Sequence, residues 1–178
     1  SSDVCSSDLL GFIVEKATGE KLSDYVSRKL WTPMHAEESA LWSLDRKDGM
    51  EKAYCCFNSN ARDFARFGQL LLNNGQWDGQ QLISPAYLAE ATSPDTRLVY
   101  KDLGKPNHCY GFQYWILDYK GMKIPYMRGI LGQYVFTLPE KNAVIVRLGH
   151  KRSDTYTADQ HYPDDINTWL DAAMDLLQ

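Results

Sequence analysis

In several segments before about residue 109 the apolar residues of this chain recur every three to four positions, and beyond it they begin to alternate. A pattern of helical period cannot bury one face as a strand, nor the reverse, so the chain must build helices first and a sheet afterwards. Leu10 to Ala17 reads as the end of an apolar helix, with Gly19 placed to stop it. Leu22, Tyr25, Val26 and Leu30 give a second helix that ends before Pro33. Residues 35–58 have no clean period and are expected to be loop with short strands. Asn60 to Leu72 is a stronger helix with Phe64, Phe67 and Leu71 on one face, and Asn73-Asn74-Gly75 ends it. Ser84-Pro85 opens another, since Ser suits the cap and Pro the first turn.

Past residue 109, Tyr110 to Asp118 is aromatic-rich and alternating, as a strand requires. Gln133–Leu138 and Ala143–Leu148 are two more strands, joined by a turn at Pro139-Glu140-Lys141-Asn142. The last segment reads as a helix with Pro163 in its first turn and Asp164 and Asp165 at its positive end. Ile166, Trp169, Leu170, Ala173, Met174 and Leu177 form one apolar stripe, best buried against the sheet. The expected fold class is α+β: a helical region over 10–108, then antiparallel strands and a covering C-terminal helix over 109–178.

The octapeptide Ser2-Asp3-Val4-Cys5-Ser6-Ser7-Asp8-Leu9 matches the translated end of a common sequencing adapter. Residues 1–9 are therefore set aside as an artefact, the alternative being a polar, Ser-rich tail, and native sequence is expected to begin near Leu10. The net charge is −4 and the cations are scattered, with His150-Lys151-Arg152 the densest basic run. This argues against a nucleic-acid partner. No apolar run approaches the roughly 20 residues of a membrane span. The four histidines lie far apart, and the cysteines (Cys5, Cys55, Cys56, Cys109) include no Cys-x-x-Cys. Neither a metal nor another cofactor is expected. Cys55 and Cys56 are adjacent, a geometry that rarely bridges, and read as a buried thiol pair. With no nearby His or Lys to lower a thiol pKa, neither reads as a nucleophile.

Three stretches carry a resemblance. Leu10-Gly11-Phe12-Ile13-Val14-Glu15-Lys16-Ala17-Thr18-Gly19, continuing to Leu30-Trp31-Thr32-Pro33-Met34, is the first. The second is the helix Asn60-Ala61-Arg62-Asp63-Phe64-Ala65-Arg66-Phe67-Gly68-Gln69-Leu70-Leu71-Leu72-Asn73-Asn74-Gly75. The third is Tyr110-Gly111-Phe112 with Gly129-Ile130-Leu131-Gly132-Gln133-Tyr134. In this order they resemble the beta-lactamase-related serine hydrolases, which include class C beta-lactamases, DD-peptidases, esterases and 6-aminohexanoate-dimer hydrolases. The Gly-Gln pair leans toward the last two. The resemblance implies that residues 10–178 are part of one such domain. A complete protein of this kind would hydrolyse an ester or amide (beta-lactam, D-amino peptide, short ester or linear amide) through an acyl-serine, with Lys and Tyr as acid–base pair.

The departures are as informative. The family's nucleophile lies in Ser-x-x-Lys, and no serine here has Lys three residues on. Its Tyr-x-Asn or Tyr-x-Ser motif would fall just before Leu10, where the adapter-like stretch stands. Its Lys-Thr-Gly or His-x-Gly motif maps onto Met127-Arg128-Gly129. The chain is thus expected to be a C-terminal fragment, inactive by itself. The alternative is a non-catalytic, penicillin-binding-like module. By resemblance the backbone N–H of Ile130 is an oxyanion donor, and Gly129 admits close backbone approach. The competing reading is an ordinary strand with a glycine bulge. Met127, Arg128, Gln133 and Asn58 are the candidate substrate contacts. Arg128 is either a carboxylate clamp or a solvated strand-edge arginine. Arg62, Asp63 and Arg66 are expected to tie their helix to neighbouring loops rather than to catalyse. A small-molecule or peptide-like substrate is implied. A periplasmic or secreted location fits the family, and the compartment itself stays open.

Overall fold

Gly19, with φ of +72°, closes the first helix, as the left-handed region favours glycine there. The computed structural model in which this is seen describes residues 2–100 and 104–177, side chains excepted at 2–5 and 100. Ser1 of the adapter-like stretch, residues 101–103 and Gln178 lie outside the described residues. The chain divides into two compact units, Ser1–Asp63 and Phe64–Gln178.

In the first unit α1 spans Ser2–Thr18 and α2 spans Leu22–Val26, which widens into a π turn over Ser27–Trp31. The Leu22 N–H donates to the Glu15 carboxylate across the Gly19 turn at 3.2 Å. Met34, just after Pro33, is fully buried. Two short strands, β1 (Leu41–Trp42) and β2 (Phe57–Asn58), pair antiparallel within the otherwise irregular stretch. The Phe57 ring lies edge-on to Trp31 at 5.3 Å and to Trp42 at 5.2 Å. Such contacts give a satellite cluster where periodicity offers none.

Helix α3 (Ala61–Leu72) begins in the first unit and continues into the second. Asn60 caps it reciprocally: its Oδ1 accepts from the Asp63 N–H at 2.9 Å and its Nδ2 donates to the Asp63 carboxylate at 2.7 Å. The buried side centres on Gly68 and Leu70, with the expected Phe64, Phe67 and Leu71 half-buried around it. The hairpin β3 (Gln76–Trp77) and β4 (Gln80–Gln81) turns on Asp78-Gly79, both at positive φ as a tight two-residue turn demands. Helix α4 (Pro85–Ala91) follows the Ser84 cap as expected. Strands β5 (Val99–Tyr100) and β6 (Lys105–Pro106) form a further small ladder.

The main sheet is an antiparallel meander of β7 (Trp115–Tyr119), β8 (Met122–Arg128), β9 (Gln133–Leu138) and β10 (Ala143–Leu148), in that spatial order. All four lie beyond residue 109, where the alternation begins. Helix α5 (Asp165–Leu176) packs on one face, with Ile166 and Leu170 fully buried against Leu117, Ile124, Tyr126, Tyr134, Phe136 and Leu138. Its stripe is narrower than the sequence implied: Trp169 and Leu177 are exposed. Against the other face sits α3. A Cβ on Gly68 would fall 2.5 Å from a Val144 methyl and 3.2 Å from one of Val135, so glycine sets how closely helix and sheet approach.

Two expectations need correction. The strand expected from Tyr110 starts only at Trp115, because the Gly111 N–H donates to the Tyr114 carbonyl at 2.8 Å and closes a bend. Strand β8 is not among the strands read from the sequence, and it carries Pro125. The β8–β9 ladder opens at Tyr126↔Phe136, one residue past the proline, so the missing N–H costs that ladder nothing.

Candidate active site

Strands β8 and β9 leave and re-enter the sheet in register, Arg128 opposite Tyr134 and Met127 opposite Val135. Between them residues 129–132 must reverse the chain. The Gly129 N–H donates to the Gln133 carbonyl at 2.8 Å, and the Gly132 N–H reaches the Gly129 carbonyl at 3.4 Å. Gly132 has φ of +83°, and a Cβ there would meet the Lys151 carbonyl at 2.6 Å. Only glycine fits. A Cβ on Gly129 would lie 2.4 Å from Gln133 Oε1 and 2.9 Å from Gln133 Cβ, so what approaches Gly129 closely is the Gln133 side chain.

Ile130 stands at the tip, 81% exposed, and its N–H donates to no acceptor among the described residues. It is therefore not locked in a ladder. Its carbonyl is held from behind, accepting from Arg152 Nε at 2.9 Å. Arg147 donates to the Gly132 carbonyl, again to Lys151 O at 3.0 Å, and stacks over Trp169 at 4.5 Å. The Gln133 amide is spent inside the turn: Oε1 accepts from the Leu131 N–H at 3.1 Å and Nε2 donates to the Gly149 carbonyl at 2.6 Å. Sequence reasoning missed Arg147 and Arg152. Arg152 stood in plain view within the His150-Lys151-Arg152 run, read only as a weak surface patch.

Arg128 is not a solvated strand-edge residue. Its guanidinium lies 3.4 Å from the centroid of Trp115, and Nη1 donates to the His161 carbonyl at 3.0 Å. Met127 is half-buried beside them in sequence, on the sheet face opposite Tyr126. Met127, Arg128, Gly129, Ile130 and Gln133 are thus brought together on one turn and its flanks. Asn58 lies in the first unit, exposed, its Nδ2 donating to the Cys56 carbonyl at 2.9 Å.

Cys55 and Cys56 depart from expectation. They are disulfide-bonded to each other, Cys55 half-buried and Cys56 exposed, where a buried pair of free thiols was anticipated. Cys109 is a free, buried thiol, and burial pushes its pKa up. Asp63 takes the structural role expected of it. Fully buried, it accepts from the Glu37 N–H at 2.7 Å, the Glu38 N–H at 3.1 Å and Asn60. Arg62 makes an exposed ion pair with Glu37 at 3.5 Å. Among the described residues no group of three or more His, Cys, Asp or Glu is placed to hold a metal ion. None of their helices is long and apolar enough to cross a membrane.

The hydroxyl of Tyr134, in β9, is buried with no hydrogen-bond partner among the described residues. Burial, reinforced by the negative charge of Asp165, pushes its pKa up to about 12. A phenol whose pKa rises on folding favours the folded state below its unfolded pKa of about 10, and that stabilisation drains away as pH climbs toward 12. Tyr134→Phe is expected to leave stability at neutral pH unchanged or raised, because it removes an unsatisfied hydroxyl. It is also expected to flatten the alkaline loss above about pH 10. Urea unfolding followed from pH 7 to pH 11 reads both; a variant as alkali-sensitive as the parent chain rejects the assignment.

The profile of the family described as "Beta-lactamase" matches residues 1–166. A 6-aminohexanoate-dimer hydrolase of Paenarthrobacter ureafaciens is 28% identical over 147 residues, covering 80% of this chain and 37% of that protein. A solved structure of a Bacillus anthracis protein, provisionally named a 6-aminohexanoate-dimer hydrolase, superposes with a TM-score of 0.71 at 26% identity, covering 94% of this chain and 41% of its own. A beta-lactamase of Mycobacterium bovis shares the fold at a TM-score of 0.63 and 17% identity, with 94% of this chain and 61% of that one covered. The chain thus spans about two fifths of the length of the first two. With that profile matching residues 1–166, well over half of its length, the chain belongs to the beta-lactamase family of hydrolases.

Proposed function

We propose that these residues form the C-terminal part of a hydrolase that cleaves an ester or amide through an acyl-serine. The Ser-x-x-Lys and Tyr-x-Asn/Ser motifs would be supplied by polypeptide outside the 178 residues. The observation that carries this reading is the Ile130 amide: exposed, without an acceptor among the described residues, on a turn whose carbonyls are held from behind. An N–H held in advance with no acceptor of its own can stabilise the negative oxygen of a tetrahedral intermediate without reorganising. Acyl transfer also needs a nucleophile and base, and no Ser-x-x-Lys occurs here. Gly129 leaves room for the Gln133 side chain that braces the turn, Arg128 holds its flank, and Met127 offers an apolar contact to substrate. The coverage of longer relatives supports the partial reading. So do the apolar residues Leu10, Phe12 and Ile13 of α1, each more than half exposed, and the outer edge of β10, unpaired among the described residues.

The test has two arms. The 178-residue chain is expected to show no saturable turnover of a chromogenic ester or cephalosporin. The gene product extended upstream through a Ser-x-x-Lys is expected to turn over one of them, and to lose a hundredfold or more in kcat, by order of magnitude, on Ile130→Pro, which deletes the donor N–H. Turnover by the short chain overturns the partial reading. An extended product without Ser-x-x-Lys and without turnover favours the non-catalytic binding module.

A further inference from the structure

The two bonded sulfurs belong to neighbouring residues, so the ring they close contains a single peptide link. A cross-link stabilises a protein mainly by closing a long loop of the unfolded chain, and this one closes almost none. Its placement suits chemistry better than stapling. Cys56 is exposed, while Cys109, the free thiol among the described side chains, is buried. Exposed disulfides are the ones open to attack by thiolates.

The ring also sits at a junction of local contacts. The Cys55 carbonyl accepts from Trp42 Nε1 at 3.0 Å. The Cys56 carbonyl accepts from the Ser43 N–H at 3.1 Å and from Asn58 Nδ2 at 2.9 Å. Cys56 has φ of +70°, a left-handed conformation that L residues disfavour. The closed ring limits the alternatives open to it. Phe57, the next residue, is the ring gripped between Trp31 and Trp42.

We propose that Cys55–Cys56 is a thiol-exchange site whose co-reactant is a low-molecular-weight thiol, and that its redox state sets the turn carrying Phe57 and Asn58. A thiolate attacks Cys56 Sγ and the S–S bond breaks. Its electron pair leaves on Cys55 Sγ, which takes up a proton. A second thiolate attacks the mixed disulfide, releasing a small-molecule disulfide and leaving Cys56 as a thiol. In sum, two small thiols are oxidised to one disulfide, and the protein pair gains two electrons and two protons. Cys56 is then free to leave the left-handed region, and the carbonyl that faces Ser43 and Asn58 turns with it. None of this depends on the hydrolase reading.

The experiment uses the whole chain under native conditions, treated with maleimide before and after incubation with glutathione. Trypsin then releases residues 53–62, between Lys52 and Arg62. Without glutathione this peptide is expected unlabelled and lighter by two hydrogens than the dithiol. After glutathione it is expected to carry two labels, while the Cys109 peptide stays unlabelled. Amide hydrogen exchange at Ser43 should accelerate several-fold on reduction, and should not respond to glutathione in the Cys55→Ser/Cys56→Ser double variant. Labelling without glutathione overturns the bond. Labelling only in denaturant overturns the exchange site. Unchanged Ser43 exchange in the doubly labelled protein overturns the coupling to the turn.

Discussion

Asp63→Ala should destabilise the chain by about 3–5 kcal/mol, a large share of the 5–15 kcal/mol typical of a folded domain. The carboxylate is fully buried and receives the N–H groups of Glu37 and Glu38 and the amide of Asn60. Truncation strips three donors at the edge of this buried site of their common acceptor, and a donor left unsatisfied away from water costs about 1–3 kcal/mol. It also ends the reciprocal cap at the start of α3, so helix and loop fail together. Asp63→Asn keeps one oxygen and should lose markedly less. Asn60→Ala, which removes only the cap, should cost about 1 kcal/mol. Urea denaturation of the three variants gives the ranking. A loss under about 1 kcal/mol for Asp63→Ala would mean that the loop at 37–38 is held by something else.

Gly111→Ala is the second large effect, about 3 kcal/mol or more. Gly111 is not in the left-handed region, so the cost is not one of backbone preference. It is steric. A Cβ there would sit 2.1 Å from the Ala91 carbonyl oxygen and 3.1 Å from that of Ser93. Both are main-chain atoms, and no rotamer change relieves them. The bend would have to lift from the end of α4, breaking the Phe112 N–H bond to Ala91 O at 2.9 Å. Gly121→Ala is the control. It has φ of +88° but nothing within 4 Å of its missing Cβ, so it should cost only the left-handed penalty of about 1 kcal/mol. Equal losses at the two positions would remove the steric argument.

These substitutions fall on two of the motifs by which the chain resembles its family, and each motif residue has a packing reason. Asp63 holds a loop, and Gly111 makes room for a helix end. Gly68, in the same helix motif as Asp63, lets α3 touch Val144 and Val135. The site's geometry follows from the same economy of space, since Gly129 and Gly132 are the two positions where the turn's own braces leave no volume for a side chain.

The amino-acid order by itself determined the change from helix to strand near residue 109, the stop at Gly19, the Ser84-Pro85 start and the turn at Pro139–Asn142. Each depends on sterics or hydrogen bonds within a few residues, which any sequence carries with it. Only the tertiary structure decided that Tyr110–Tyr114 bends instead of extending, because the atom that forbids a side chain at Gly111 belongs to Ala91. It also decided that β8 forms in spite of Pro125, with strands on both sides to pair its remaining groups. The Ile130 turn shows the division most clearly. Its glycines were legible, but the arginines that hold its carbonyls come from positions 147 and 152. Which distant donor meets a given carbonyl is settled only when the chain closes on itself, since hydrogen bonds and volume are shared across space and not along sequence.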